Sequence, residues 1–334
     1  MSQEFEFLPP LESEGRRILS HEPANAEAPP EAFTDLITPA SHRFVRCHFP
    51  TPELGADHVV RIVGAVAHPR LVSLQQLRSL PPVTQTILTE CAGNGRASLE
   101  PRVSGEQWTS RAVSTAQWTG VPLRSVLELQ ETAVEVVVTG ADGGKYQRSL
   151  ARELAMDEST LLAYEMNGSP IPAQFGGPVR LVVPGWYGMA SVKWVARIEA
   201  VEKPFHGEFQ DHRYVYGPGK PVTRIRIKSM FTEVPDLVRA GVAVRIAGLA
   251  WGGEGVRRVE VEIDGDPREA RLVGPVLPNA WRRFELDWTA AARGRYLLTC
   301  RATDGQGHSQ PDEPEWNPLG YGNNAVQRVE VVAT

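Results

Sequence analysis

The stretch TQTILTECAGNGR, residues 84–96, joins a strand-like run to a turn and places a single cysteine, Cys91, at the junction. TQTILTE is typical of a strand, whereas AGNGR turns sharply because glycine and asparagine readily adopt turn conformations. The chain therefore leaves a predicted sheet at Cys91, and the sulfur of Cys91 comes to lie at a strand end. Functional groups are often found at such ends.

Three roles are open to Cys91: a buried structural thiol, a catalytic nucleophile or a metal ligand. A buried thiol is the usual fate of a lone cysteine that follows an apolar run. His42, His48 and His58 lie well upstream, in no pattern that pairs one of them with Cys91 as a base. The absence of CxxC and HxxxH spacings disfavours zinc. A single thiolate serving a metal whose other ligands come from a cofactor remains open.

Strand-like runs alternate with brief helix-like stretches over residues 41–217, which predicts a mixed α+β domain. The predicted strands cover residues 58–66, 84–90, 134–140, 178–185 and 192–202. The helix-like stretches cover residues 73–80, 122–129 and 150–157. Residues 1–40 are rich in Pro, Glu and Ala and are predicted to form an extended arm over this domain.

The sequence changes character near residues 217–221, where strands punctuated by Gly, Pro and Asp begin. Their spacing of roughly ten residues predicts an all-β sandwich over residues 218–334. The predicted strands cover residues 223–234, 241–251, 256–267, 281–288, 294–305 and 325–334. Cys300 lies in this domain in an immunoglobulin-like context, but no earlier cysteine of the domain can pair with it. We therefore expect a buried small hydrophobe there.

Composition narrows the class of protein. The 334 residues carry a formal net charge of −5, so no overall positive field favours binding to nucleic acid or to an anionic membrane. A run of about 18 apolar residues, the length needed for a membrane span, is absent. Three widely separated cysteines and an N-terminus without a signal-peptide pattern predict a cytoplasmic protein, unless an export signal was removed.

Several cationic residues flank predicted loops or strand ends, and a planar guanidinium suits a small oxyanion or a phosphate. They are Arg46, Arg96, Arg102 and Arg180. Most arginines are nevertheless solvated surface charges. Lys193 differs, since Trp186, Tyr187 and Trp194 lie close to it in sequence, and either a core position or an anion site explains such a setting. GADGGK and FGGPVR match neither a dinucleotide fingerprint nor a P-loop.

Together these residues resemble the sulfite oxidase family of molybdenum enzymes. The resemblance covers about residues 40–334 and rests on motifs in the family's order and spacing: FVRCHFPTP, ECAGNGR, QWTSRAVSTAQWTGVPLRSVL, LLAYEMNGSPIP, GGPVRLVVPGWYGMASVKWVARIEAVE and WNPLGYGNNAVQRVEV. It implies a mixed α+β molybdopterin-binding domain followed by an immunoglobulin-like domain that mediates homodimerisation. It also implies that the Cys91 thiolate ligates molybdenum.

The same resemblance assigns contacts with the molybdopterin cofactor. These residues are Phe44, Val45, Arg46, Cys47, His48, Asp142, Arg180, Ser191, Val192 and Lys193. Two positions depart from the family pattern. Cys47 stands where many relatives carry asparagine, so the hydrogen bond from that amide is expected to be lost. Phe175 stands where a histidine is usual, so the contact of that histidine must be made otherwise or the cofactor tail must lie differently.

The substrate pocket implied by the resemblance contains Arg46 and Arg96 as anion ligands, Trp108 as a wall and Tyr214 as a hydrogen-bond donor, with Tyr216 as a competing candidate. A further family arginine in the WN motif is replaced by Leu319. With one positive charge fewer, we expect weaker affinity for sulfite or a somewhat different substrate.

The implied activity is oxidation of sulfite to sulfate by oxygen-atom transfer. Because HPGG and CxxCH haem motifs are absent, we expect no haem of its own and an external electron acceptor: a cytochrome, another carrier or oxygen. The alternatives are a molybdopterin-dependent reductase of sulfoxide or nitrate, and a binding module that has lost catalysis.

Overall fold

The computed structural model of the protein describes residues 15–55 and 57–334. Strand β6 occupies Val83–Glu90 and ends directly before Cys91, which confirms the predicted strand end. Its sheet has the order β11-β10-β7-β6, with β12 also paired to β10. The other strands of this sheet are β7 (Val113–Pro122), β10 (Leu161–Met166), β11 (Ser169–Pro170) and β12 (Arg180–Val182).

A second sheet of the first domain has the order β5-β4-β13-β8-β9. These strands are β4 (Val59–Gly64), β5 (Arg70–Ser73), β8 (Glu135–Gly140), β9 (Gln147–Ala151) and β13 (Val195–Val201). Strand β13 runs parallel to β4 and antiparallel to β8. The two sheets enclose a core that includes Ile62, Val138 and Ile198, each no more than 1% exposed.

Helices are short in this domain. Helix α1 covers Leu74–Ser79 and begins at a capping box in which the Ser73 side chain accepts from the Gln76 N–H. Helix α2 covers only Arg152–Ala155, and the predicted stretch at residues 122–129 contains just the 3₁₀ turn Leu123–Ser125. The domain is therefore richer in strand than the sequence pattern predicts.

Further single-turn segments connect the strands. They are the 3₁₀ helices Pro30–Phe33, Ala40–His42, Arg96–Ser98, Ala173–Phe175 and Gly188–Ala190, and the π-helix Glu208–Arg213. Strands β14 (Val215–Gly217) and β15 (Lys220–Pro221) form a small hairpin where the sequence places the domain boundary. No helix among residues 15–55 and 57–334 has the length and apolar character needed to cross a membrane.

The described part of the N-terminal arm, residues 15–40, is built into the first domain. Strand β1 (Arg17–Ser20) pairs with β2 (Asn25–Glu27), and β2 pairs with β3 (Val45–Arg46). The fully buried Glu27 accepts hydrogen bonds from the backbone N–H and hydroxyl of Thr109. The remainder of the arm, residues 1–14, lies outside the described residues.

The second domain is β-rich, with strand order β16-β18-β21-β20-β19-β22-β23-β17. Their ranges are β16 (Lys228–Glu233), β17 (Leu237–Val238), β18 (Ala243–Trp251), β19 (Arg258–Ile263), β20 (Asp266–Val273), β21 (Arg282–Thr289), β22 (Gly294–Thr303) and β23 (Gln327–Ala333). Strand β20 pairs with β19 through residues 266–270 and with β21 through residues 271–273, so it links two layers. Phe284, Leu298 and Cys300 are fully buried in the core of this domain. Burial raises the pKa of the Cys300 thiol to about 12, which confirms that it is a buried small residue.

A buried ionic network joins the two domains directly beside Cys91. One oxygen of Glu90 accepts from Asn94 Nδ2 at 2.8 Å, and the other accepts from Trp251 Nε1 at 2.8 Å. Lys228 Nζ lies 3.6 Å from Glu90 Oε1 and donates to the carbonyls of Asn94 and Asn323. Burial raises the pKa of Glu90 and lowers that of Lys228, and each partner opposes the shift of the other.

Replacing Lys228 with methionine leaves the buried Glu90 carboxylate without the positive charge that compensates it. We expect Lys228→Met to lower the free energy of unfolding by about 3–5 kcal/mol, as is typical when one partner of a buried pair is lost. Denaturant unfolding followed by fluorescence measures this change. The exposed pair Arg295–Glu330 provides the control, because Arg295→Met should change stability by less than about 1 kcal/mol. Equal losses in the two variants would contradict the structural role of Lys228.

Candidate functional site

A cavity opens beside Cys91. Most of the residues predicted to form a site line it: Phe44, Arg46, Cys47, His48, Cys91, Asp142, Arg180, Ser191, Lys193 and Tyr214. The lining residues come from both sheets of the first domain and from the loops between them. Residues far apart in sequence are therefore brought together as the motifs predicted.

Cys91 is held at the cavity wall by its backbone. Its N–H donates to the carbonyl of Ala112 at 2.9 Å, and its carbonyl accepts from the N–H of Asn94, which closes the turn. Gly95 completes the turn with a φ of 90°, a conformation that favours glycine. Burial raises the pKa of the Cys91 thiol, while the positive charges of Arg46 and Arg96 lower it. These two cations favour the thiolate, the form that binds metals.

One region of the cavity carries the cations Arg43, Arg180 and Lys193. Arg180 Nη1 donates to the carbonyl of Phe175 at 2.7 Å, and Lys193 Nζ donates to the carbonyl of Gln174 at 2.6 Å. Lys193 Nζ also lies 3.2 Å from Cys47 Sγ. Lys193 is thus a lining residue of the cavity, beside Cys47 and Arg180.

Arg46, His48 and Tyr214 form a hydrogen-bonded row along the cavity. Arg46 Nη2 lies 2.9 Å from His48 Nδ1, and His48 Nε2 lies 2.7 Å from the Tyr214 hydroxyl. Since a guanidinium can only donate, Nδ1 accepts and Nε2 carries the proton in neutral His48. The Tyr214 oxygen then accepts from His48, and its hydroxyl also makes a hydrogen bond with Tyr146. Burial raises the pKa of Tyr214 well above its usual range, so the phenol keeps its hydrogen.

Tyr216, the competing candidate, lies elsewhere. Its ring is 4.4 Å from the Arg226 guanidinium, and it packs against Gly322. Tyr214 is the tyrosine of this loop that lines the cavity.

Arg46 is supported by the N-terminal arm. Asn25, fully buried in β2, accepts from Arg46 Nη1 at 3.1 Å and from the Cys47 N–H at 3.0 Å. The amide nitrogen of Asn25 donates to Ser20 and to the carbonyl of Pro23. Asn25 was not predicted as a site residue, because the composition of a Pro/Glu/Ala-rich arm does not indicate that one of its side chains contacts a site.

Arg96 lies behind the cavity wall with its guanidinium occupied. Nε and Nη2 donate to the carbonyl of Leu319 at 3.1 and 2.9 Å, and Nη1 donates to the carbonyl of Glu106 at 2.9 Å. The guanidinium also lies 5.1 Å from the ring centroid of Tyr321, which stacks on Tyr214. The second domain therefore contributes Leu319 and Tyr321 to the surroundings of the site.

Three other predicted residues also pack behind the wall. Val45 and Val192 are fully buried, and Val45 pairs with Ala26 of β2. Trp108 is fully buried with its ring edge-on to Phe44, at 6.5 Å between centroids. These three support the lining residues from behind.

Several lining residues had not been predicted: Arg43, Thr89, Ala92, Tyr146, Gly188, Met189 and Trp194. Trp194 had been weighed only as a neighbour of Lys193. Arg43 directly precedes the FVRCHF motif, but a lone arginine in a loop is usually a surface charge, so the sequence did not single it out.

The donors and acceptors of the cavity fit an anionic, hydrogen-bonding cofactor. Lining residues with buried polar atoms that have no partner among the described residues include Arg43 (Nε and Nη1), Arg180 (Nε) and Asp142 (Oδ1). Native cores seldom leave such atoms unpaired. Cationic donors suit a phosphate, Asp142 suits the polar edge of a pterin, and one soft thiolate suits a metal that brings other sulfur ligands.

Residues 48–209 match the family described as oxidoreductase molybdopterin binding domain, and residues 220–334 match the Mo-co oxidoreductase dimerisation domain. The sulfite oxidase of Gallus gallus is 32% identical, with 94% of this chain and 77% of that protein covered. The chain belongs to the sulfite oxidase family. The mitochondrial sulfite oxidase of Rattus norvegicus is 36% identical, and the match covers 96% of this chain but 66% of that protein.

A solved structure of another protein also matches the whole architecture. The sulfane dehydrogenase SoxCD from Paracoccus pantotrophus superimposes with a TM-score of 0.85 at 30% identity, over 96% of this chain and 88% of that chain. Both domains and their connection are thus shared with known proteins of similar sequence. The first domain of this sulfite oxidase family member is a molybdopterin-binding domain.

His48 offers a test of how dry this cavity is. Burial, and then the positive charges of Arg46 and Lys193, lower the pKa of His48 to about 2, whereas the pKa of a histidine in an unfolded chain is about 6.5. Below about pH 6.5 the unfolded state therefore binds a proton that the folded state does not, so stability falls as pH falls. We expect His48→Gln to reduce this loss by about 1 kcal/mol per pH unit between about pH 6 and pH 5. Denaturant unfolding at each pH measures both slopes, and equal slopes would contradict the buried neutral imidazole.

Proposed function

We propose that the protein catalyses the molybdenum-dependent oxidation of sulfite to sulfate and passes the electrons to an external acceptor. In this reaction sulfite gains one oxygen atom derived from water and releases two electrons and two protons. The observation that carries the proposal is that Cys91 and Arg46 line the same cavity. They lie close enough for the positive charge of Arg46 to favour the Cys91 thiolate.

The cofactor would be held by residues on the cavity wall. Cys91 would supply the protein's thiolate ligand to molybdenum. Phe44, Cys47, His48, Asp142, Ser191 and Lys193 would contact the pterin, with cations around its anionic tail. When bound, the cofactor supplies the two-electron redox chemistry, which no side chain of the protein can provide.

The protein's own residues would bind and orient the substrate. Arg46 provides a cation for the sulfite oxygens, and Asn25 and His48 fix the orientation of its guanidinium. Tyr214 would donate its phenolic hydrogen to an oxygen near the reacting centre. Such fixed donors in a site with little water typically contribute on the order of 100-fold each to rate.

Arg96 would act on the substrate through charge and position, because its five N–H groups are already directed partly at the carbonyls of Leu319 and Glu106. The carbonyls account for three of the five N–H groups, and bonds to neutral carbonyls leave the positive charge of Arg96 in place.

A second candidate substrate is a sulfane sulfur. Its support is the engaged guanidinium of Arg96 beside Leu319, together with the likeness to a protein described as a sulfane dehydrogenase. Comparing steady-state oxidation of sulfite and thiosulfate with an artificial electron acceptor distinguishes the two substrates.

The second domain would form a homodimer interface, as its family description implies. The second domain packs two β-layers around a common core, which favours an immunoglobulin-like sandwich. The first domain contains two short helices besides its sheets, which favours α+β as the fold class of the chain. Sedimentation at several concentrations tests the dimer. The cytoplasmic location stays a prediction, favoured by three free, buried cysteines.

Removing the thiol tests the ligand assignment. We expect Cys91→Ser to abolish sulfite oxidation while the protein stays folded, because a hydroxyl is a poor substitute for a soft thiolate at molybdenum. Activity with an artificial acceptor and a circular dichroism melt provide the two readouts. Cys300→Ala, which removes a buried thiol in the second domain, should retain activity. An active Cys91→Ser variant would refute the role of Cys91.

Restoring a cation near Arg96 tests the charge argument. We expect Leu319→Arg to lower the KM for sulfite about tenfold, the effect of one charge-assisted hydrogen bond. Leu319→Met is the control, since it keeps a long side chain without the charge, and its KM should match the wild type. If both variants bind sulfite equally, the lack of a charge at position 319 does not limit affinity.

A further inference from the structure

Arg43 is a cation on the cavity wall to which neither the sequence nor the proposed reaction gives a role. Its side chain is only 1% exposed, and its Nε and Nη1 atoms have no hydrogen-bond partner among the described residues. A charged group taken out of water and left without partners is strongly unfavourable. The cavity is the place where a partner for these two donors can lie, because Arg43 is one of its lining residues.

Aromatic rings hold Arg43 without using its N–H groups. The guanidinium carbon lies 5.4 Å from the ring centroid of Trp118 and 5.7 Å from that of Phe175. Arg180 lies on the same Trp118 ring at 5.1 Å. Two guanidinium groups are thus positioned around one indole, and stacking fixes their planes while donors remain free.

The charges around Arg43 are mostly of its own sign. Burial, and then the positive charges of Arg180 and Arg16, lower the pKa of Arg43 to about 9. Burial lowers the pKa of Arg180 to about 10. Among the described lining residues, Asp142 is the one that carries a carboxylate. The arrangement is one that an anion would stabilise.

We propose that Arg43 and Arg180 together bind a phosphate monoester, the anionic tail of the pterin cofactor. Two guanidinium groups match the two negative charges of a phosphate and its multiple acceptor oxygens. Arg180 Nε and Arg43 Nε and Nη1 are thus three donor nitrogens without an acceptor among residues 15–55 and 57–334. Phe175 stands where a histidine is usual, and its side chain has no hydrogen-bond donor. The guanidinium of Arg43, which stacks on the Phe175 ring, provides donors at this place.

This assignment rests on the proposed function for the identity of the ligand, but its chemistry can be tested separately. The first measurement is the molybdenum and pterin content per chain of protein made in a cofactor-competent host. We expect Arg43→Met to lose at least about tenfold in cofactor content relative to wild type, because one of two phosphate ligands is missing. Arg43→Lys keeps the charge and should retain more cofactor than Arg43→Met.

The second measurement separates ligand binding from a structural role. In full-length protein made without cofactor synthesis, Arg43→Met should melt at the wild-type temperature or above it, since it removes a buried cation whose Nε and Nη1 have no partner among the described residues. Inorganic phosphate should raise the melting temperature of the wild type by about 2–4 °C more than that of Arg43→Met. The difference between the proteins is the readout, because phosphate also stabilises proteins non-specifically.

Arg148 provides a matched control. It is another arginine of the first domain with 2% exposure and an unpartnered Nε, but its Nη1 donates to the carbonyl of Phe209. Arg148→Met should therefore lower the melting temperature of the cofactor-free protein and keep the full response to phosphate.

Two results would overturn the assignment: cofactor content and phosphate response equal to wild type in Arg43→Met, or a cofactor-free Arg43→Met that melts far below wild type and still responds to phosphate. If Arg43→Met does not accumulate, Arg43→Gln and Arg43→Lys are compared in the same assays. A wild type that contains no molybdenum but shows the Arg43-dependent phosphate response would refute the proposed reaction and leave a site for free phosphate. If the wild type oxidises sulfite but shows no Arg43-dependent phosphate response, the proposed reaction stands and the assignment of Arg43 is refuted.

Discussion

The buried carboxylate of Glu90 is the constraint on which the site depends. It directly precedes Cys91, and a charge in that position needs compensation that the first domain does not supply alone. Lys228 and Trp251 of the second domain provide it. Lys228 also donates to the carbonyls of Asn94 and Asn323, so the same ammonium group fixes the turn after Cys91 and the loop that carries Leu319. Thus one buried charge sets the position of the thiol, the turn and the interdomain loop relative to one another.

The sequence was informative wherever local pattern determines local structure. β6 ends at Glu90 as the change from TQTILTE to AGNGR predicts, because a strand cannot continue through a glycine-containing turn. The regular spacing of strands after residue 217 likewise identified the β-rich second domain. Arg46, Cys91 and Lys193 line one cavity. The motifs made this arrangement predictable, because residues at matching positions of a shared fold occupy matching places in space.

The sequence was uninformative wherever a contact depends on a backbone atom or on a distant segment. Arg96 binds the carbonyl of Leu319, and a carbonyl is present whatever the residue at position 319, so no sequence pattern records the bond. Asn25 reaches Arg46 because β2 pairs with β3, a pairing between short strands with little periodicity of their own. The helices were over-predicted for a related reason. The apolar residues of stretches such as 122–129 have helical spacing, but the paired strands on either side leave room only for the single turn Leu123–Ser125.

The bond between Arg96 and the Leu319 carbonyl has a consequence for how such proteins can change. The segment at residues 316–324 belongs to the domain whose relatives form dimers, yet it positions an arginine next to Cys91 and places Tyr321 against Tyr214. The two domains are consequently not interchangeable modules. A chimaera that takes its second domain from another relative inherits part of that relative's substrate pocket, so oligomerisation and substrate preference are expected to be inherited together.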